Sequence, residues 1–166
     1  RIRNHPNLAG VDVDHIVVTS THAHNAPDTI GLWGPQATTT GRVDFVLQSL
    51  YDNASLAVKD ALANMQPAHL TIASTKLIND PANPMSLTDD FNKDIRDPVI
   101  FDPTLTIARF TKAGSPGETI ATLVNWASHP EALGSRNTLI TADWPHYLFR
   151  ALDAAKVGIP VFVNGA

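Results

Sequence analysis

The sequence predicts a mixed α/β (α+β) fold, with a mixed β-sheet flanked by helices in an incomplete domain. Short β-branched segments follow one another along the chain and are interspersed with amphipathic segments of helical period. The 166 residues are 43% hydrophobic and 17% charged, as in a soluble globular domain. The chain begins at Arg1 and stops where an apolar strand enters a turn, so we expect residues 1–166 to be part of a larger domain.

Two elements are predicted in the first part of the chain. The β-branched residues within 11–20 predict a buried strand. After a loop rich in glycine and proline, apolar residues recur at helical spacing over 43–65. This spacing predicts an amphipathic helix about 33 Å long, and Pro67 marks its end.

The second part is predicted to be mostly β-structure with one helix. A strand over 68–78 precedes a long irregular segment at 79–103, rich in proline, aspartate and asparagine. Strands over 104–111 and 118–126 are predicted to form a hairpin. Pro145 predicts the first turn of a helix that ends near Lys156, with Asp143 or Trp144 at its N-cap. A final strand is predicted over 159–163.

Composition excludes several classes of function. The sequence has no cysteine, which excludes disulfide scaffolds, thiolate zinc sites and cysteine nucleophiles. The net charge is −4 and the 12 lysines and arginines are scattered, so nucleic acid is not an expected partner. The sequence has no run of about 18 apolar residues, so it predicts no membrane-spanning segment.

Three histidines are candidate metal ligands. His22 and His24 follow the first predicted strand, and in an extended chain residues i and i+2 face the same way about 6.6 Å apart. His129 follows the apolar strand at 118–126 and precedes Pro130. Imidazole is a common metal ligand, and a site needs several ligands from different elements. The sequence therefore predicts a metal site, although each motif alone also fits a hydrogen-bonded or solvated histidine.

Two carboxylates stand near these histidines in the sequence. Glu131 and Asp143 are candidates for further ligands, or for carboxylates that orient an imidazole through its other nitrogen. Asp143 has a competing role as the N-cap of the predicted helix. The turn at Asn164-Gly165-Ala166 follows an apolar strand and is a candidate position for a nucleophile or an oxyanion donor.

The remaining histidines and the tryptophans have weaker signals. His5, His15 and His69 have no second candidate ligand nearby in the sequence and are expected to be structural or solvated. His146 lies in the first turn of the predicted helix and is expected at the surface. The three tryptophans near the candidate histidines fit either a core or an apolar substrate site: Trp33, Trp126 and Trp144.

Four sequence blocks together resemble the neutral/alkaline (non-lysosomal) ceramidase family. They occur in the family's order over most of the chain, with Asn25 in place of the common serine: Thr21-His-Ala-His-Asn-Ala-Pro27, Val124-Asn-Trp-Ala-Ser-His-Pro130, Leu139-Ile-Thr-Ala-Asp143 and Val161-Phe-Val-Asn-Gly-Ala166. The resemblance implies that residues 1–166 are a partial N-terminal catalytic domain of a ceramidase-like hydrolase.

The resemblance also implies a chemistry. It implies a zinc-dependent amidase that splits the N-acyl bond of ceramide or a related lipid amide into a fatty acid and a sphingoid base. His22 and His129 would bind Zn²⁺, and His24 would be a catalytic residue close to the metal. The family's essential serine and its further glutamate and tyrosine ligands fall outside 1–166, so we expect this segment alone to be inactive.

The resemblance leaves alternatives open. The family has an arginine within an Asn-Arg-Ser segment where this chain has Asn83-Pro-Met-Ser86. A non-catalytic or altered-substrate relative, such as a surface-binding protein or an esterase, is therefore an alternative, and an unrelated metal-binding module is another. By family analogy the protein is expected to be extracellular or periplasmic and to contact membrane surfaces.

Overall fold

The computed structural model describes residues 1–12, 16–77 and 102–165. The chain divides into two compact units. One comprises Arg1–Val18 and Ala26–Gln66, and the other comprises Thr19–Asn25 and Pro67–Ala166. Among the described residues, no helix is both long enough and apolar enough to cross a membrane.

The first unit contains a short 3-10 helix, Pro6–Leu8, and the helix α1, Asp44–Ala63. The helix predicted over 43–65 is therefore confirmed. The residues predicted as a buried strand over 11–20 are not a strand where they are described, and Val17 is 91% exposed. The prediction fails because β-branched residues favour an extended chain, whereas a strand also needs a hydrogen-bonded neighbour. Residues 13–15, including His15, lie outside the described residues.

His5 has a structural role in this unit. Its Nε2 lies 2.8 Å from Asp52 Oδ1 on α1, and its Nδ1 lies 3.0 Å from Ser55 Oγ. These contacts follow the order of a Ser-His-Asp catalytic triad. Ser55 is fully buried, however, and its hydroxyl donates to the Asp52 carbonyl at 2.7 Å. A substrate cannot reach this oxygen. The hydrogen bonds of the three side chains instead connect the start of the 3-10 helix to α1.

Where it is described, the second unit has a four-stranded mixed sheet and one helix. The strands among its described residues are β1 (Ala68–Lys76), β2 (Thr104–Lys112), β3 (Ser115–Trp126) and β4 (Ile159–Asn164). The helix α2, Trp144–Ala154, connects β3 to β4. The strand order is β1-β2-β3-β4. The mixed sheet, its hairpin and the crossover helix confirm the predicted fold class. Of the irregular segment predicted at 79–103, residues 79–101 lie outside the described residues.

The direction of β4 determines where the ends of the strands meet. β1–β2 and β2–β3 pair antiparallel, and β3–β4 pair parallel. A parallel pair needs a crossover connection, which α2 supplies. In the parallel register Trp126 is opposite Asn164, so the last residues of β3 and β4 lie side by side at one edge of the sheet.

The core of this unit lies at the junction of β3, β4 and α2. Val124 and Phe162 are register partners and are both buried. The Trp144 ring packs edge-to-face on Phe162, with ring centroids 4.9 Å apart. By contrast, β1 is exposed along its whole length. Burial is therefore concentrated next to the edge where β3 and β4 end.

Gly158 lies in the turn between α2 and β4, where the chain packs closely on β3. It has φ +74°, and a Cβ there would lie 2.5 Å from the Ile120 carbonyl. Gly114 in the β2–β3 turn has φ +83°, but a Cβ there would meet no atom of the described residues within 4 Å. We expect Gly114→Ala to lower the free energy of unfolding by roughly 1–2 kcal/mol, because alanine disfavours the left-handed backbone. Gly158→Ala should lower it by roughly 1–3 kcal/mol more, because the added Cβ would clash with Ile120 and displace β3.

Urea unfolding of the two variants measures this difference. Gly114→Ala is the matched control, because it carries the same backbone penalty without the clash. Equal losses of unfolding free energy in the two variants would contradict the close packing of this turn on β3.

Candidate metal centre

The rings of His22, His24 and His129 converge in the second unit. The Nε2 atoms of His24 and His22 are 3.2 Å apart, and those of His24 and His129 are 2.6 Å apart. One ligand atom from each residue lies within 4.8 Å of the others. The ring centroids of His22 and His129 are 4.7 Å apart. Three imidazoles from two segments that are remote in the sequence thus share one small volume.

The backbone at His22 differs from the extended chain that the sequence predicted. His22 has φ +65°, in the left-handed region that non-glycine residues seldom occupy. In an extended chain the two side chains would run parallel, about 6.6 Å apart. The left-handed turn instead brings the rings of His22 and His24 edge-to-face, with centroids 4.8 Å apart. The predicted convergence is present, but a local kink produces it.

The loop after β3, which carries His129, is hydrogen-bonded to the His24 segment and to the start of α2. The backbone N–H of His24 donates to the carbonyl of Pro130 at 3.4 Å, and Pro130 itself is fully buried. The indole Nε1–H of Trp144 donates to the His129 carbonyl at 3.2 Å. Backbone contacts therefore fix the position of His129, while its side chain is about half exposed.

Asp143 organises the same loop through backbone groups. It is the N-cap of α2, and its Oδ1 accepts from the Trp144 N–H at 2.6 Å. Its two oxygens also accept from the N–H groups of Ala132 and Leu133 at 3.0 and 3.1 Å. Burial raises the pKa of Asp143, but these N–H groups lower it more, so the net shift is downward. Asp143 therefore has the predicted capping role, and its two oxygens accept from three backbone N–H groups.

Glu131 lies on the other side of the rings. Its Oε1 is 3.7 Å from His24 Nδ1, and its Oε2 is 3.8 Å from His129 Nδ1. These are ion-pair distances for a protonated imidazole. The carboxylate therefore faces the nitrogens that point away from the shared volume.

The electrostatic surroundings favour neutral His129. Partial burial lowers the pKa of His129, and repulsion from His24 and His22 lowers it further, whereas Glu131 opposes the shift. A lower pKa keeps the imidazole uncharged at neutral pH. The uncharged form has the free nitrogen lone pair that a metal ion requires.

Comparison with known proteins identifies the family. The sequence profile described as neutral/alkaline non-lysosomal ceramidase, N-terminal, matches residues 10–150. The chain belongs to the neutral/alkaline non-lysosomal ceramidase family. Comparison with curated protein sequences gives no match.

Two solved structures show the same fold. One is a neutral ceramidase from Pseudomonas aeruginosa, with a TM-score of 0.55 and 21% identity over 73% of this chain and 20% of that chain. The other is described as a ceramidase complexed with C2, with a TM-score of 0.55 and 21% identity over 73% of this chain and 19% of that one. The chain thus spans about one fifth of the length of these ceramidases.

The donor set of this ceramidase-family chain fits a zinc ion. Zinc in proteins is bound by imidazole, thiolate or carboxylate, and the chain has no cysteine. The cluster offers imidazole nitrogens for zinc, and Glu131 lies near Nδ1 of two of the rings, His24 and His129. The residues present therefore suit the metal that the sequence resemblance implied.

The other candidate residues do not join the cluster. His69 on β1 and His146 on α2 are exposed, and His146 packs on the Tyr147 ring. Trp126 and Trp144 pack edge-to-face beside the core, with centroids 5.3 Å apart. Trp33 belongs to the first unit and is 83% exposed. Asn83–Ser86 and Ala166 lie outside the described residues.

The sequence did not predict the hydrogen bonds that Asn164 makes. The sequence predicts only that this residue begins a turn that could hold a nucleophile or an oxyanion donor. Its side chain instead bonds the segments that precede His22 and His129. A polar residue that ends the apolar strand β4 is a signal for function. Its partners are 36 and 143 residues away, however, so the sequence could not identify them.

The contacts of Asp143 predict the effect of Asp143→Asn. An amide can accept on one side but presents N–H groups to backbone donors on the other. We expect a loss of about 1–3 kcal/mol in unfolding free energy at pH 7. The pKa of Asp143 is lowered by folding, so its contribution is present above the unfolded value of 3.8. That contribution should disappear as the pH falls below 3.8 through the lower folded pKa.

Denaturant unfolding between pH 7 and pH 2 checks this expectation. The control is Asp153→Asn, an exposed carboxylate on the same helix, which should change stability by no more than about 0.5 kcal/mol. A constant difference between wild type and Asp143→Asn across this pH range would refute the capping account.

Proposed function

We propose that the protein containing this chain is a zinc-dependent hydrolase of the N-acyl amide bond of ceramide or a related lipid amide. The observation that carries the proposal is the convergence of His22, His24 and His129, with Nε2 atoms 2.6 and 3.2 Å apart. Membership of the ceramidase family supports the substrate class. We also propose that residues 1–166 are the front part of its catalytic domain.

His22 and His129 would hold the metal ion. Both present Nε2 to the shared volume and reach it from different segments, one on each side of His24. A zinc ion bound there supplies Lewis acidity that polarises an amide carbonyl and lowers the pKa of a water molecule towards about 7. The protein's task is to keep the imidazoles uncharged and oriented, as the lowered pKa of His129 favours.

His24 would transfer a proton in the hydrolysis. Water adds its oxygen to the amide carbon, the C–N bond breaks, and the nitrogen leaves as the amine of the sphingoid base after gaining a proton. The exposed His24 imidazole can carry that proton, and Glu131 Oε1 lies 3.7 Å from its Nδ1. The Glu131 carboxylate would stabilise the ring while it is protonated. General acid–base catalysis of this kind contributes about 10²–10⁴-fold to the rate.

The substrate class suggests the protein's surroundings. Ceramides reside in membranes, so the enzyme would act at a membrane surface. We propose an extracellular or periplasmic location, supported by the family resemblance. Protease accessibility in cells with a permeabilised outer membrane and an intact inner membrane tests this location, because full protection of the protein would contradict it.

Metal content tests the ligand assignment. We expect the full protein to bind zinc, and His22→Ala and His129→Ala to lose it, because each substitution removes one imidazole from the shared volume. The measurement is zinc per protein after dialysis, by atomic emission. His69→Ala and His146→Ala are controls, because these exposed histidines lie outside the cluster. Equal zinc in wild type and both ligand variants would refute the assignment.

His24→Ala separates proton transfer from metal binding. We expect this variant to keep its zinc while its kcat on a ceramide falls by about 10²-fold or more, because the proton carrier is removed. Product amine release measures the rate, with a lipid ester as a comparison substrate. Zinc loss as complete as in His22→Ala would show that His24 is a third ligand. Hydrolysis of the ester alone would favour the esterase alternative.

A further inference from the structure

The amide of Asn164 joins the two segments that carry the proposed zinc ligands. Its Nδ2 donates to the carbonyl of Thr21 at 3.2 Å, and its Oδ1 accepts from the N–H of Ser128 at 3.2 Å. Thr21 directly precedes His22, and Ser128 directly precedes His129. A single side chain therefore contacts the backbone immediately before each ligand.

The position of Asn164 makes this double contact possible. It is the last residue of β4 and lies opposite Trp126, the last residue of β3. The next residue, Gly165, donates its N–H to the Trp126 carbonyl at 3.0 Å. A Cβ at Gly165 would lie 2.9 Å from the backbone nitrogen of Ala127. Glycine therefore lets the chain after Asn164 stay close to the segment that leads to His129.

The contact pattern suits an amide, which carries a donor and an acceptor on separate atoms. One partner is a carbonyl, which needs a donor, and the other is an N–H, which needs an acceptor. A carboxylate of the same shape would keep the bond to Ser128 but would set a negative oxygen against the Thr21 carbonyl. An apolar side chain would leave the N–H of buried Ser128 and the carbonyl of Thr21 without this partner.

We propose that Asn164 is a positioning residue that sets the separation of His22 and His129 and thereby tunes metal affinity. This inference rests on the proposed function, in which these two histidines hold the metal. Asn164 acts through the backbone of Thr21 and Ser128, to which its amide is hydrogen-bonded. The left-handed His22 needs such support, because a residue in this conformation persists only where its surroundings hold it.

Metal affinity of the full protein tests the proposal. The variant is Asn164→Asp, which keeps the acceptor and removes the donor. We expect its zinc affinity, measured by competition with a chromophoric chelator, to fall by about 10- to 100-fold. The matched control is Asn125→Asp on β3, where the amide Nδ2 donates to the Val163 carbonyl at 3.1 Å. This control removes an equivalent bond between neighbouring segments but leaves Thr21 and Ser128 untouched, so its affinity should stay within about threefold.

A second measurement reports the ligand geometry without metal. The ring centroids of His22 and His129 are 4.7 Å apart, so NMR of the metal-free, histidine-labelled protein should show ring-to-ring cross-peaks. We expect Asn164→Asp to lose these cross-peaks and Asn125→Asp to keep them. Thermal unfolding of both variants shows whether each remains folded, and Asn164→Gln replaces Asn164→Asp if the latter does not.

The outcomes separate this inference from the proposed function. If wild type binds zinc and the Asn164 variant binds it equally tightly with its cross-peaks intact, the positioning role is wrong. If wild type binds no zinc, the proposed function fails, and the metal-free cross-peaks alone decide whether Asn164 positions the rings. An affinity loss in both asparagine variants would also overturn the specific role of Asn164.

Discussion

The parallel pairing of β3 with β4 is the constraint on which the rest of the second unit depends. It brings the last residues of both strands to one edge of the sheet, where Trp126 lies opposite Asn164. The core packs directly beside this edge, through Val124, Phe162 and Trp144. In sheets with parallel strands, sites commonly form at the carboxyl ends of strands. The candidate metal centre occupies such a place. His129 follows the end of β3, and the residue before His22 is hydrogen-bonded to Asn164 at the end of β4.

Backbone strain accompanies the histidine cluster. His22 and Asp143 both have positive φ, at 65° and 58°. Such residues cost on the order of 1–3 kcal/mol each and persist where neighbouring contacts fix them. Here the Asp143 carboxylate accepts from backbone N–H groups, and the Asn164 amide accepts from the Ser128 N–H and donates to the Thr21 carbonyl. The three rings contact one another but are exposed, and in our proposal the Asn164 amide sets the separation of His22 and His129.

The two carboxylates near the histidines, Asp143 and Glu131, have different surroundings. Asp143 is buried, and three backbone N–H groups hold it ionised. Glu131 is about half exposed and faces two imidazoles at 3.7 and 3.8 Å. Burial with complete hydrogen bonding fits a structural role, whereas exposure next to titratable rings fits a role in proton transfer. The short sequence distance between the two residues does not reveal this division.

The sequence by itself determined the α2 helix with its Asp143 cap, the β2–β3 hairpin, the apolar strands and the choice of His22, His24 and His129. Local periodicity and ligand chemistry suffice for these features. The strand predicted over 11–20 is absent from residues 16–20, because a strand requires a hydrogen-bonded partner that local propensity does not specify. The tertiary structure alone decided the parallel placement of β4, the left-handed turn at His22 and the double contact of Asn164. These depend on hydrogen bonds between segments up to 143 residues apart, which no local pattern encodes.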